Sequence, residues 1–258
     1  MGTKDVPLDM PDELVARLRI AQRVTVLTGA GISAESGVPT FRDAQIGLWS
    51  RYRPEDLATP QAFLRNPRLV WEWYTWRREL VAQAEPNPGH LALAEMEQRV
   101  PVFTLITQNV DGLHQRAGSG KRFPVIELHG NIQRSKCFSE NRPVESWEEN
   151  GEVPPRCPYC GDLVRPDVVW FGEALPEEAL QSAWEAARSC EIFFSIGTSA
   201  LVQPAASMPY AALQAGAVLV EVNLTPTPLS ERAHFILAGQ SGLVLPALVQ
   251  MVWGHTEH

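Results

Sequence analysis

Val24-Thr25-Val26-Leu27-Thr28-Gly29-Ala30-Gly31-Ile32-Ser33-Ala34, running on through Glu35-Ser36-Gly37-Val38-Pro39-Thr40-Phe41-Arg42-Asp43, is the stretch whose reading decides the fold. Val24, Val26 and Leu27 make a short apolar run of the kind found in a buried strand of a parallel sheet. The run ends in Gly29, Ala30 and Gly31, where the chain turns sharply and its backbone approaches something closely. Gly29, Gly31 and Ala34 fit the spacing G-x-G-x-x-G/A. There the glycines permit the turn, and the amides of the next helical turn face an anion, most simply a pyrophosphate. A hydride-transferring enzyme would continue with an amphipathic helix and a second strand ending in an acid about 20 residues on. Residues 44–60 carry Trp49, Tyr52, Pro54 and Pro60 instead. The second half of this dinucleotide site is built for other chemistry.

Working outward, residues 11–21 place Leu14, Val15 and Leu18 at helical spacing and predict a helix leading into that strand. Residues 102–107, 125–128, 192–196, 218–222 and 235–237 predict further strands. Helical patterns follow Pro88-Gly89-His90 and cover residues 204–214 and 243–252. Strands alternating with helices give an α/β fold, a Rossmann-like doubly wound parallel sheet with right-handed crossovers. Two segments break the alternation. Residues 51–88 are aromatic and basic without a period of two, and read as inserted helices. Residues 131–165 hold turns, acids and three cysteines but no sustained apolar period, a segment that a metal would help to hold.

The chain of 258 residues can bury one large core, or one core with a smaller inserted module. A net charge of −8 argues against a nucleic-acid partner, which needs a basic face. No apolar run reaches the length of a membrane span, and residues 1–10 lack the apolar core of a secretory signal. The chain is therefore expected to be cytoplasmic. Its four cysteines are expected as thiols or metal ligands, not disulfides.

Open α/β sheets bind ligands at the carboxyl ends of their strands. Five predicted strand ends carry glycine or polar residues: 29–33, then Gln108, Asn109 and Asp111, then His129, then Gly197-Thr198-Ser199, then Asn223. His129 lies between a β-run and Gly130, where an imidazole with a pKa near ~6.5 suits a general base. The plain alternative is a histidine satisfied by backbone. Asp111, standing before Gly112, would equally suit an Asx turn. His90, His114, His234, His255 and His258 lack such a context and are given no role.

The run GAGISAESGVPTFRD is followed, in order, by Thr107-Gln108-Asn109-Val110-Asp111-Gly112-Leu113-His114, Leu128-His129-Gly130, Cys157-Pro158-Tyr159-Cys160, Val169-Trp170-Phe171-Gly172-Glu173, Gly197-Thr198-Ser199 and Val222-Asn223. Together these resemble the sirtuins, the NAD-dependent protein-lysine deacylases, over roughly residues 20–250. The resemblance implies a Rossmann-like NAD-binding domain of residues 1–43, 91–130 and 166–258. A helical insertion at 44–90 and a cysteine module at 131–165 would form a small domain. It also implies a mechanism: the acyl-lysine amide oxygen attacks the ribose C1′ as nicotinamide leaves. His129 then helps the 2′-hydroxyl attack the imidate, and water releases lysine and 2′-O-acyl-ADP-ribose. Asn109 and Asp111 would hold the nicotinamide end and a water, and Gln108 the ribose. Gly29, Ala30, Gly31, Ile32, Ser33, Phe41, Arg42, Val110, Gly197, Thr198, Ser199, Asn223 and Ser241 complete the cofactor contacts so implied.

Val169, Phe171, Gly172 and Glu173 resemble the sirtuin loop on which the substrate peptide lies as an added strand. Tyr74 and Arg77 stand at i, i+3 on one face of a predicted helix, where a phenol and a guanidinium can receive a carboxylate. Among sirtuins this Tyr-x-x-Arg spacing marks pockets that accept acidic acyl groups such as succinyl-lysine. The resemblance thus implies desuccinylase as well as deacetylase activity. The plain reading makes Arg77 one solvated cation of a basic helix and Tyr74 a packing residue.

Cys157-x-x-Cys160 is half of a zinc site, and Cys137 can supply a third thiolate. Here the chain departs from the family's two cysteine pairs, because Glu140 stands three residues past Cys137. Three thiolates with a carboxylate or water could bind a structural zinc; a degenerate module that binds none is the other reading. Cys190 opens a predicted strand and reads as a buried apolar cysteine. Two rival functions stand beside deacylation. A mono-ADP-ribosyltransferase would share the cofactor and the departure of nicotinamide. A non-enzymatic NAD or ADP-ribose sensor would have no need of His129 together with Asn109 and Asp111. The expected partners are acylated lysine side chains of proteins, with no nucleic acid and no membrane; the oligomeric state is left open.

Overall fold

β1 (Arg23–Thr28) is the hub of the sheet in a computed structural model that describes residues 10–39, 52 and 54–254. It pairs in parallel with β2 (Val102–Thr107) on one side and β6 (Ile192–Ile196) on the other. β2 carries β3 (Ile126–Glu127), while β6 carries β7 (Val218–Asn223) and then β8 (Phe235–Ala238), all parallel. The order β3-β2-β1-β6-β7-β8 reverses direction between β1 and β6. A crevice opens outside the carboxyl ends of strands at such a reversal.

The period of two sorts side chains between two cores. Val24, Val26, Leu105, Phe194 and Val220 enter one core with Leu14, Leu18, Leu93, Met96, Leu245 and Leu248. These last six come from α1 (Asp12–Ile20), α6 (Pro88–Arg99) and α10 (Ser241–Trp253). Leu27, Ile106, Phe193 and Leu219 enter the other core, against α8 (Glu177–Ser189) and α9 (Met208–Gln214). Burial on both faces is why the strands read as nearly unbroken apolar runs. The helix expected from residue 204 starts later: a 3-10 turn at Ala205–Ser207 leads into α9.

The inserted helices are α3 (Pro54–Leu57), α4 (Pro60–Arg65) and α5 (Pro67–Gln83). Capping side chains followed by proline start α4, α5 and α6. Thr59 accepts from the Ala62 amide at 3.1 Å, Asn66 from Leu69 at 3.1 Å, and Asn87 from Gly89 at 2.9 Å. With Asn87 as its cap, α6 begins at Pro88 and not after His90. Residues 131–165, which carry no sustained apolar period, are bracketed by β4 (Gly130–Cys137) and β5 (Val164–Val168), an antiparallel pair outside the main sheet. Ile132, Val168 and Trp170 pack there against Leu57, Phe63, Val70, Trp73 and Tyr74. The boundaries expected after residues 90, 130 and 165 therefore fall within α6, β4 and β5. Among the described residues, no helix is long and apolar enough to cross a membrane.

Candidate active site

The floor of the crevice is backbone against backbone. The Gly29 amide donates to Ile196 O at 2.9 Å, and the Gly31 amide donates to Gly197 O at 2.7 Å. A Cβ on Gly31 would lie 2.7 Å from Gly197 Cα, and one on Gly197 would lie 2.5 Å from Ile32 N. No side chain fits between these two strand ends. α2 (Ala30–Ala34) follows, with Ile32 N bonded to Gly29 O at 3.2 Å. The amides of Gly31 and Ile32 are thus committed to the fold, which narrows the expected row of amides facing a pyrophosphate. Ile32 itself is buried in the core beneath the sheet.

Above this floor lies a buried polar cluster. Asn109 Nδ2 donates to Gly29 O at 3.0 Å and to Ser33 Oγ at 3.1 Å. Asp111 Oδ1 accepts the Leu113 amide at 2.9 Å and starts α7 (Leu113–Arg116), so the Asx turn is real. Burial raises the Asp111 pKa, with the Leu113 amide and the Ser33 hydroxyl opposing. His90 adds a partner that sequence reading passed over. Its Nδ1 accepts the Asn87 amide at 3.3 Å, which leaves Nε2–H facing Ser33 Oγ at 3.4 Å. Burial lowers its pKa to about 4, so the ring is neutral at pH 7. Ser33 Oγ accepts from both Asn109 and His90, which leaves its own proton for the side of Asp111, whose pKa it lowers. The signal was present as Asn87-Pro88-x-His90, whose capping box fixes the histidine tautomer. His114 packs edge-on at 4.8 Å from His90 and meets Thr28 Oγ1 through Nε2 at 2.9 Å.

His129 follows β3, and its Nδ1 lies 2.8 Å from Gln108 O. A carbonyl only accepts, so Nδ1 carries the proton and Nε2 keeps its lone pair. Burial lowers the His129 pKa, with the bond to Gln108 opposing. Gly130 has φ +78, and a Cβ there would collide with Asp167 O, so the chain turns directly after the histidine. Gln108 Nε2 donates to Thr198 Oγ1 at 3.2 Å, and Asn223 Nδ2 donates to Thr198 O at 2.9 Å. Val110 O accepts the Ile132 amide at 2.8 Å. Ser199 is exposed, and Ser241 is buried as the first residue of α10. The fold brings together all five predicted strand ends. Phe41 and Arg42 lie outside the described residues.

On the α5 side, Tyr74 is buried and its hydroxyl oxygen accepts Trp170 Nε1–H at 2.9 Å. Burial pushes the phenol up to about 12, so it stays protonated. Arg77 stands 5.0 Å over the Trp73 ring. Burial lowers its pKa, with Tyr74 and Asp111 opposing. Residues 169–173 differ from a bare strand edge. The Val169 amide donates to His129 O and the Phe171 amide to Ala58 O, each at 2.9 Å. The Trp170 amide donates to Glu173 Oε2 at 2.7 Å, and the Glu173 amide to Trp170 O at 3.0 Å. These amides are already paired, so a peptide added here would meet the carbonyls and the Gly172 amide. The Glu173 carboxylate turns inward to Arg165, with contacts of 2.5 and 2.9 Å.

The cysteine module also closes into a cluster. Cys137 ends β4, and its Sγ lies 3.4 Å from Cys160 Sγ. One ligand atom from each of Cys137, Glu140, Cys157 and Cys160 lies within 4.8 Å of all the others. Tetrahedral zinc with Zn–S of about 2.3 Å sets its sulfurs about 3.8 Å apart. The spacing fits that ion, with Glu140 in the place of a fourth thiolate. Cys190 lies apart, buried on the α8 and α9 side, and burial raises its thiol pKa to about 11.

A doubly wound sheet with a polar crevice at its switch point defines a nucleotide-binding protein of the α/β class. Residues 29–204 match the Sir2 family, and the chain belongs to it. A protein named NAD-dependent protein deacylase from Aquifex aeolicus (strain VF5) is 54% identical over 223 residues, 85% of this chain and 92% of that one. One of the same name from Pyrococcus furiosus is 50% identical over 232 residues, 87% and 91% of the two chains. Among solved structures, a Sir2 homolog–NAD complex superposes with a TM-score of 0.87 at 46% identity, covering 94% of each chain. A Sir2 protein bound to acetylated peptide gives 0.82 at 31% identity, covering 94% of this chain and 98% of that one.

Proposed function

We propose that the protein is an NAD-dependent protein-lysine deacylase that removes acidic acyl groups as well as acetyl. The reading is carried by His129, whose Nδ1 is tied to Gln108 O at the end of β2, so that Nε2 keeps the lone pair of a base on the loop that continues into Asn109 and Asp111. The crevice suits NAD. Its floor at Gly29, Gly31 and Gly197 admits no side chain, and its walls at Ser33, Gln108, Asn109, Thr198 and Asn223 offer uncharged donors and acceptors for ribose. Bound NAD supplies an electrophilic ribose carbon and nicotinamide as the leaving group. His129 Nε2 takes the proton of the attacking ribose hydroxyl. Asn109 and Asp111, held rigid by Gly29, Ser33 and Leu113, orient the nicotinamide end and a water. Gln108, Thr198, Ser199, Asn223 and Ser241 hold the remaining ribose and adenine side. Tyr74 and Arg77 receive an acyl carboxylate, the guanidinium through a two-pronged contact.

Incubation with NAD and matched acetyl-lysine and succinyl-lysine peptides, followed by mass, tests the reading. The expected products are free lysine peptide and 2′-O-acyl-ADP-ribose from both. ADP-ribose appearing on protein, with no 2′-O-acyl product, would assign the chain to ADP-ribosyl transfer instead.

The cysteine cluster would hold a structural zinc, since the chemistry described needs no Lewis acid. A chelator should lower the melting temperature by several degrees, and the shift should be no smaller at saturating NAD than a simple sum predicts. Elemental analysis of fresh protein that finds no zinc overturns this assignment.

A further inference from the structure

Trp170 is held from every side. The Arg165 guanidinium, itself buried, stacks 3.3 Å from the centre of its ring. Glu173 grips both that guanidinium and the Trp170 amide. Phe63 and Tyr74 pack on it with ring centroids at 5.3 and 6.2 Å. The indole N–H of this fixed ring points at the Tyr74 hydroxyl oxygen, 2.9 Å away. We propose that Trp170 is a positioning residue for acidic acyl groups: by donating to Tyr74, it turns the Tyr74 hydroxyl proton toward the acyl carboxylate.

An indole N–H donates and cannot accept, so the Tyr74 proton cannot be shared with Trp170. A phenol proton lies near the ring plane in one of two orientations, and a donor arriving on one side closes that side. Tyr74 is buried and neutral, so neither bulk water nor ionisation disposes of the proton. Among the described residues, none accepts it. Arg77, three residues on along α5 and so on the same helix face, supplies positive charge to the same locality. A carboxylate accepts the phenol proton and carries the charge that the nearby guanidinium favours; an acetyl group carries no such charge. Were Trp170 only packing, its N–H would need a partner but the direction of the Tyr74 proton would not matter.

This inference rests on the acidic-acyl reading of Tyr74 and Arg77, and the test separates the two. Wild type, Trp170→Phe, Tyr74→Phe, the double variant and Arg77→Met are assayed at saturating NAD on matched acetyl-lysine and succinyl-lysine peptides. Trp170→Phe keeps a ring and removes the donor. It should lower kcat/KM for the succinyl peptide roughly 5- to 10-fold, the scale of one neutral hydrogen bond. The loss should fall mainly on KM, with deacetylation held within about twofold. Added to Tyr74→Phe, it should cost nothing further on the succinyl peptide. Thermal melts report folding, and Trp170→Leu, which also lacks the donor, is read in the same way if the phenylalanine variant melts early. Equal losses on both peptides, or additive losses in the double variant, overturn the proposal. If Arg77→Met suppresses desuccinylation and Trp170→Phe does not, this proposal alone fails. If wild type leaves succinyl-lysine untouched, the acidic-acyl reading fails and takes this one with it.

Discussion

Replacing His129 with alanine should lower deacylation turnover by roughly 10²–10⁴-fold, the range of a general-base contribution, while NAD still binds. The structure explains the separation. His129 touches the loop after β2 through Gln108 O, whereas the crevice floor is built from Gly29, Gly31 and Gly197 without it. Calorimetric or fluorescence titration with NAD should therefore change little, and single-turnover deacylation should collapse. The pH profile carries a second expectation. The base works in its neutral form, and burial lowers its pKa below the ordinary histidine value. The acid limb of kcat/KM should thus lie below about 6.5, with activity falling as pH drops through it. A variant retaining more than about a tenth of wild-type turnover would remove His129 from the mechanism.

The parts of this site readable from sequence are those whose cause is local. Val24, Val26 and Leu27 announce a strand buried on both faces because the two cores take alternate residues. Gly29 and Gly31 announce a close approach because only a missing Cβ lets Gly197 in. The partner of that approach lies far along the chain, yet its absence of side chain is written at both ends. What escaped depends on contacts between distant residues. α8 is the exception, legible and passed over: Leu180, Ala183, Trp184 and Ala187 recur at i, i+3, i+4 and i+7 and form the face it packs on the sheet. β4 and β5 escaped because their sequences, Gly130-Asn131-Ile132-Gln133-Arg134-Ser135-Lys136-Cys137 and Val164-Arg165-Pro166-Asp167-Val168, carry no apolar run and pair across the whole cysteine module. His90 looked like a lone histidine until Asn87 and Ser33 met it on its two nitrogens. The amides of residues 169–173 looked free for a peptide because Ala58 and His129, which accept two of them, give no hint of it in sequence. Glu140 completed the thiolate cluster in a place where a cysteine was expected.

Arg77→Met should cripple desuccinylation and largely spare deacetylation. α5 turns Tyr74 and Arg77 to the same side, and the two side chains influence each other's ionisation. The methyl thioether fills the guanidinium's volume over Trp73 without its charge, so packing of the helix is kept. A charge-assisted hydrogen bond contributes about 1.5–3 kcal/mol, and losing one corresponds to roughly 10–150-fold in kcat/KM for a succinyl-lysine peptide. An acetyl group has no carboxylate to lose, so its kcat/KM should move by no more than about twofold. Tyr74→Phe should act in the same direction more weakly, because it removes a neutral donor and leaves the guanidinium in place. Steady-state assays of both variants on both peptides decide the matter. Equal losses on the two substrates would mean that the pair supports α5 against Trp170 and the β4–β5 hairpin, and that acyl selectivity has its source elsewhere in the pocket.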